Sequence, residues 1–293
     1  MRKSTSYLWP DLSLLFAATL WGIFWYPLRL FESAGMPALW VTLVAFSVAS
    51  VIGVVVTISQ WRQYLIKPKT LLLIAITAGW CNVGFLVAVV EGNVIRVILL
   101  FYLSPIWTVI LGHYILKETI TFKATLIFLV AFLGAMIMLW EPSMGFPWPQ
   151  GLADWLAISA GFTFALSNVL IRSLQQISIP VKTTASWLGC IVITAIWIIL
   201  VKNSMPDISS ATWLSSIGLG LFGIVFMTLS VQYGITHMPV YRSAIILLFE
   251  IIVTAVSAYW LINETMNQRE WIGGIMVGVS AWMVARLGKT DER

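Results

Sequence analysis

Residues 96–119, RVILLFYLSPIWTVILGHYILKET, and residues 242–265, RSAIILLFEIIVTAVSAYWLINET, decide the fold. Each opens on an arginine (Arg96, Arg242), runs through an apolar stretch and closes on a Glu-Thr pair (Glu118-Thr119, Glu264-Thr265), at an offset of 146. Upstream, Asp11, Arg29 and Pro37 recur as Asp154, Arg172 and Pro180 at an offset of 143, and one loop difference accounts for the slip. Single matches carry little weight, but ordered matches at near-constant spacing mark an internal repeat.

The repeated unit is membrane-like. Of 293 residues, 60% are hydrophobic and 10% charged, against about 25% charged in a soluble domain. Uninterrupted apolar stretches run at 12–31, 38–60, 70–90, 96–116, 122–140, 152–171, 184–201, 212–236, 243–262 and 270–287. At about 20 residues per bilayer crossing these are ten spans, leaving little chain for any extramembrane domain. Short breaks separate them: Gly35-Met36-Pro37, Lys67-Pro68-Lys69, Pro142 to Pro149, Ser178 to Pro180, Met205-Pro206-Asp207 and Met238-Pro239. The first stretch follows Met1-Arg2-Lys3 as a signal peptide would, yet it is too long and leads directly into more spans. Cys81 and Cys190 both lie inside apolar runs, which excludes a disulfide framework or a metal knuckle.

The net charge of +5 is no nucleic-acid signal, because the basic residues stand singly between apolar runs. With a cytoplasmic N-terminus, the inside segments hold Arg2, Lys3, Arg62, Lys67, Lys69, Lys117, Lys123, Arg172, Lys182, Arg242, Arg286, Lys289 and Arg293. The outside segments hold Arg29, Arg96, Lys202 and Arg269. The positive-inside rule then puts both termini in the cytoplasm of a multi-pass protein of the cytoplasmic (inner) membrane.

Residues 1–146 and 147–293 form the two repeats, each of five spans. An odd number forces the second copy to enter the membrane from the opposite side. Inverted repeats of this kind are typical of secondary transporters, with the substrate site near the midplane and alternating access from the rocking of one half against the other.

Leu103-Ser104-Pro105 with Leu116-Lys117-Glu118, the second-half Leu248-Phe249-Glu250 with Leu261-Ile262-Asn263-Glu264, Trp271-Ile272-Gly273-Gly274 and the opening Leu20-Trp21-Gly22-Ile23-Phe24 resemble the drug/metabolite transporter superfamily, EamA type. The resemblance covers nearly the whole chain in two copies, through loose motifs. It implies a polytopic carrier of small metabolites, often an exporter of amino acids or related compounds. One departure is Ile251, where the family often has proline after the glutamate; without it no kink is expected there.

Glu250 lies about eight residues into span 9, where a carboxylate costs about 2.5–3.5 kcal/mol and should face the bundle interior or a wet cavity. Thr254 and Ser257 extend its face, and the repeat places Ser104 and Thr108 at matching positions of span 4. In span 1, Trp21 and Trp25 share a face, with Tyr26 beside them and Pro27 able to break the helix just beyond. Their repeat partners are Phe164 and Asn168. Aromatic walls with one amide suit a flat or cationic substrate, whereas the competing reading is an interfacial aromatic belt. The expected lining, bounded by spans 1, 3, 4, 6, 8 and 9, is Trp21, Trp25, Asn82, Tyr102, Ser104, Asn168, Gln232, Glu250 and Thr254. Glu250 would pair with a substrate amine or hold a coupling proton, against a plain interhelical hydrogen bond.

Glu91 with Arg96 would make an outer gate pair, and Arg242, with His237 five residues before it, an anchor or ion-pair partner. His113 is expected to be merely hydrogen-bonded. Glu118 and Glu264 end helices where the macrodipole disfavours an anion, so specific partners between the repeats are expected.

Gly218-Leu219-Gly220-Leu221-Phe222-Gly223 satisfies G-x-G-x-x-G but follows no strand, and Gly288-Lys289-Thr290 lacks the earlier P-loop glycine. Helix packing through small residues explains the first, as it does Gly274 and Gly278. No H-E-x-x-H, G-x-S-x-G or paired His and Asp is present, so no enzyme, cofactor or metal site is expected. The nearer rivals are a passive channel, a lipid-linked flippase, or an importer. The expected partners are a small-molecule substrate, such as an amino acid or cationic metabolite, the lipid bilayer and protons, with no nucleic acid and a functional monomer.

Overall fold

The computed structural model describes residues 7–141, 148–263 and 265–287. The expected repeat boundary at 146/147, Glu264, Met1-Arg2-Lys3 and Gly288-Lys289-Thr290 lie outside them. Nine described helices are long and apolar enough to cross a bilayer: Leu8–Ser33, Ala38–Leu65, Pro68–Glu91, Val94–Leu116, Phe122–Leu139, Leu152–Ser173, Ile179–Leu200, Ser210–His237 and Val240–Ile262. They are numbered here as spans 1 to 9. A further helix, Gln268–Arg286, has 19 residues. Arg269, Glu270 and Arg286 dilute its apolar content, so the structure gives nine membrane-length apolar helices and this helix 10 rather than ten equal spans.

The helices follow from their residues. Hydrocarbon offers backbone groups no partner, so an apolar run must bond within itself. Asn93 and Thr121 cap the starts of spans 4 and 5 with their side chains, and Asn267 with Glu270 closes a capping box on helix 10. Pro68 and Pro180 occupy first turns, where their missing N–H costs nothing. Span 7 therefore begins at Ile179, earlier than its apolar run, and carries Lys182 inside its first turn. Lys117 and Asn263, one repeat apart, end spans 4 and 9 in the left-handed conformation at φ 58 and 54°.

Packing inverts the soluble pattern. Val51, Val55, Leu72, Phe122, Ile199 and Trp260 face outward, while Asp11, Asp154, Lys182, Asn168 and Arg242 are buried. Span 3 packs against spans 6 and 7, span 2 against 7, span 1 against 8 and 9, and span 5 against helix 10. At several crossings backbones touch. A methyl on Gly189 would strike the Ala75 backbone, one on Gly220 the Ala45 backbone, and one on Gly273 the Gly134 carbonyl. The small-residue contact expected at Gly274 and Gly278 thus falls on Gly273, since the other two have ordinary space.

Three spans are interrupted within the bundle. Span 1 runs Leu8–Ile23 and Trp25–Ser33, span 4 runs Val94–Phe101 and Ser104–Leu111, and span 9 runs Val240–Leu247 and Phe249–Ile262. A proline ring clashes with the carbonyl four residues earlier. Pro27 and Pro105 accordingly break their helices about one turn upstream, at Phe24 and at Tyr102-Leu103, not beyond Tyr26 as expected. Span 9 corrects a second expectation: it breaks at Leu248 although Ile251 is no proline. Tertiary contacts hold that break, since Gly22 of span 1 lies against the Glu250 backbone carbonyl and the Ser257 hydroxyl donates to the Gly22 carbonyl at 3.3 Å.

Candidate functional site

The interruptions converge on a cavity of about 1980 Å³. Its wall takes residues from spans 1–9, with Met138 and Leu139 from span 5, and Glu270 from helix 10, and it reaches the surface at Glu32, Glu91 and Gln150. That is the face opposite the described chain ends, because Tyr7 and Leu287 meet at Arg242.

The other end is shut by a buried polar seam. Arg242 donates from Nη2 to Asp11 Oδ2 at 2.7 Å and from Nε to Asp11 Oδ1 at 3.1 Å. It also donates to the Leu287 and Ala285 carbonyls at 2.9 and 3.1 Å, and its guanidinium lies 4.5 Å from the Tyr7 ring centre. Lys182 Nζ donates to the Ile171 carbonyl at 3.1 Å and to Thr236 Oγ1 at 2.9 Å. Arg172 donates to the Thr236 carbonyl and, at 3.4 Å, to Glu118 Oε1. Two cations thus meet the negative end of the span 8 helix. Lys182, counted above among the charges of an aqueous face, is completely buried.

Glu118 accepts the Val240 N–H at 2.8 Å, which places a carboxylate at the positive start of span 9. This is the interrepeat contact expected of it. His113 is hydrogen-bonded, Nδ1 to the Glu118 carbonyl at 3.3 Å.

Trp21, Trp25, Asn82, Tyr102, Ser104, Asn168, Glu250 and Thr254 lie in the cavity wall. Gln232 does not: its amide donates to Ser186 Oγ at 3.4 Å from behind that wall. Arg242 is likewise outside the wall, in the closed seam. Arg96 is in the wall but pairs with Asp154 at 3.5 Å and not with Glu91. Glu91 and Arg96 are parted by the helix break at Gly92-Asn93, so nearness in sequence did not make them partners.

Glu250 sits at the span 9 interruption, partly open to the cavity, and Tyr102, at the span 4 interruption, lines the same cavity close to its carboxylate. Among the described residues Glu250 has no ion-pair partner. The Trp25 indole N–H donates to Ser257 Oγ at 2.9 Å, and Trp21 meets Phe24 edge-on at 5.3 Å. Asn82 Nδ2 donates to the Ala78 carbonyl at 3.0 Å and contacts Cys190 Sγ at 3.4 Å.

Spans 2 and 7, left out of the expected boundary, supply Thr42, Phe46, Ser186, Trp187 and Cys190. Trp187 donates to Thr228 Oγ1 at 2.9 Å. Of the polar run Thr183-Thr184-Ser186, only Ser186 reaches the wall, so the run does not by itself mark span 7 as wall.

A helical membrane bundle with repeated broken spans around a central cavity is the architecture of a transporter. Comparison with known proteins agrees: the EamA-like transporter family matches residues 8–140 and 151–286, and the chain belongs to that family. It is 22% identical over 209 residues to an uncharacterized transporter of Pseudomonas aeruginosa, covering 68% of this chain and 65% of that one. An uncharacterized transporter of Archaeoglobus fulgidus is 23% identical over 212 residues, covering 71% of this chain and 73% of that one. One of Synechocystis sp. is 26% identical over 203 residues, covering 66% and 58% respectively. The matches thus span roughly two thirds of these relatives. A protein of known crystal structure shares the fold with a TM-score of 0.75 at 16% identity, covering 94% of this chain and 97% of that one.

Proposed function

We propose that the protein is a secondary transporter that exports a small water-soluble metabolite, such as an amino acid or related amine, across the cytoplasmic membrane by alternating access. One observation carries this reading: the cavity reaches one face and is sealed at the other by the Asp11–Arg242 and Glu118–Arg172 pairs. Rocking of the halves would open the seam and close the wide end. Export is the direction favoured by the family resemblance, and the positive-inside bias of the sequence supports cytoplasmic termini. The working unit in this proposal is the monomer, and substrate pairing at Glu250 takes precedence over obligatory proton coupling.

Reconstitution in proteoliposomes tests the proposal. Saturable flux of labelled water-soluble solutes, with counterflow, is the expected result. Transfer of labelled lipid between leaflets would instead establish a flippase, and non-saturable flux a channel.

A further inference from the structure

Resting on the transporter reading and narrowing it, we infer that the cavity is built for an organic monocation, an amine or guanidinium compound, and discriminates against the amino acid of the same skeleton. Three features of the wall converge on this class.

The first is charge. The chain carries 17 basic and 12 acidic residues, yet the cavity reverses that balance. Among the described residues its wall holds five carboxylates (Glu32, Glu91, Asp154, Glu250, Glu270) against two guanidiniums, Arg29 and Arg96, and no lysine or histidine. Arg96 is committed to Asp154. With the carboxylates ionised, the wall is net negative by three inside a net positive protein. A low-dielectric cleft of one sign concentrates ions of the other.

The second is hydrogen-bond polarity. Thr108, Thr228, Thr254 and Ser186 spend their hydroxyl protons on carbonyls of their own helices, at Ser104, Ile224, Glu250 and Lys182. The indole N–H groups of Trp25 and Trp187 are spent on Ser257 and Thr228. What these groups offer a guest is lone pairs and ring faces. An ammonium or guanidinium is all donor and suits lone pairs and ring faces of this kind.

The third is position. Glu250, without an ion-pair partner among the described residues, stands where spans 4 and 9 are both interrupted, with Tyr102 and the Trp21 and Trp25 rings in the same wall. A carboxylate beside aromatic faces holds a cation by charge and by cation–π contact.

Binding to the purified full-length protein, read by quenching of its tryptophan fluorescence, tests the assignment with three probes of one skeleton: 2-phenylethylamine, phenylalanine and 3-phenylpropionate. The amine should bind at least roughly tenfold more tightly than the amino acid, and the acid should not bind measurably. Glu250→Gln should weaken the amine roughly thirtyfold or more, the low end for loss of a buried charge partner. Glu250→Asp keeps the charge and should retain most of the affinity, which separates loss of charge from loss of folding. Glu32→Gln with Glu91→Gln should slow amine association at low salt and leave its rate at high salt unchanged. Equal affinity for amine and amino acid, no amine binding by folded wild-type protein, or an unchanged affinity in Glu250→Gln would each overturn the inference. Amine binding without flux in proteoliposomes would defeat the transporter reading alone, and saturable flux with no preference for the amine would defeat this one alone.

Discussion

Arg242 and Asp11 lie 231 positions apart and form a two-pronged ion pair, both side chains almost wholly buried. Their repeat counterparts, Arg96 and Asp154, make the crossed pair at the other end of the bundle: each half supplies the arginine of one pair and the aspartate of the other. The two pairs are not equal. Arg242 has every nitrogen engaged, whereas Arg96 meets Asp154 at 3.5 Å and its buried Nε has no partner. The tight pair is at the sealed end and the loose one lines the open end, as expected if the two exchange roles when the halves rock.

Removing one partner of the tight pair leaves a buried charge. Asp11→Asn should lower stability by about 3–5 kcal/mol. Asp154→Asn should cost less than half of that. Detergent-solubilised thermal unfolding of the two variants checks the order, and a larger loss at Asp154 would refute the asymmetry.

Loosening the sealed end should also shift the conformational balance. With Arg242→Gln, a cysteine at Ala244, which now forms the buried floor of the cavity, should become reactive toward a membrane-impermeant thiol reagent applied from the face bearing the chain ends. Unchanged protection in a folded variant would show that the pair is no latch.

In a background of Cys81→Ser and Cys190→Ser, cysteines placed at Trp21, Asn82 and Asn168 should react with a small polar thiol reagent from the wide end. A cysteine at Gln232 should not, because that side chain lies behind Ser186. Labelling of position 232 at the rate of the others would contradict the placement of the wall.

Glycines of the same apolar kind should differ sharply. Gly189→Ala drives a methyl into the Ala75 backbone and should abolish accumulation of folded protein, whereas Gly218→Ala meets open space and should be neutral or stabilising by up to about 1 kcal/mol through helix propensity. Size-exclusion yield of the two variants provides the check.

Much of the frame was written in local sequence. Apolar runs have the length the bilayer demands, and the repeats of Asp11, Arg96, Asp154 and Arg242 were visible as spacing. Glu250 stood out because a carboxylate is costly at that depth. Pairing was not visible: Glu91 is five residues from Arg96, but Asp154 is the partner that folding brings near. The contribution of span 7 was equally hidden, since Trp187 reads as one more lipid-facing tryptophan until span 8 supplies Thr228.

By itself, then, the sequence determined what depends on chain-local energetics. These are the helices, forced by unsatisfiable backbone groups in hydrocarbon, the two-fold repetition, and the breaks ahead of Pro27 and Pro105. Tertiary structure alone decided the break at Leu248, the choice of Gly273 over Gly274 at the crossing, the burial of Lys182, and which arginine holds which aspartate. Those outcomes rest on distances between residues up to 235 positions apart. No local propensity encodes such distances, because they exist only once the helices have packed.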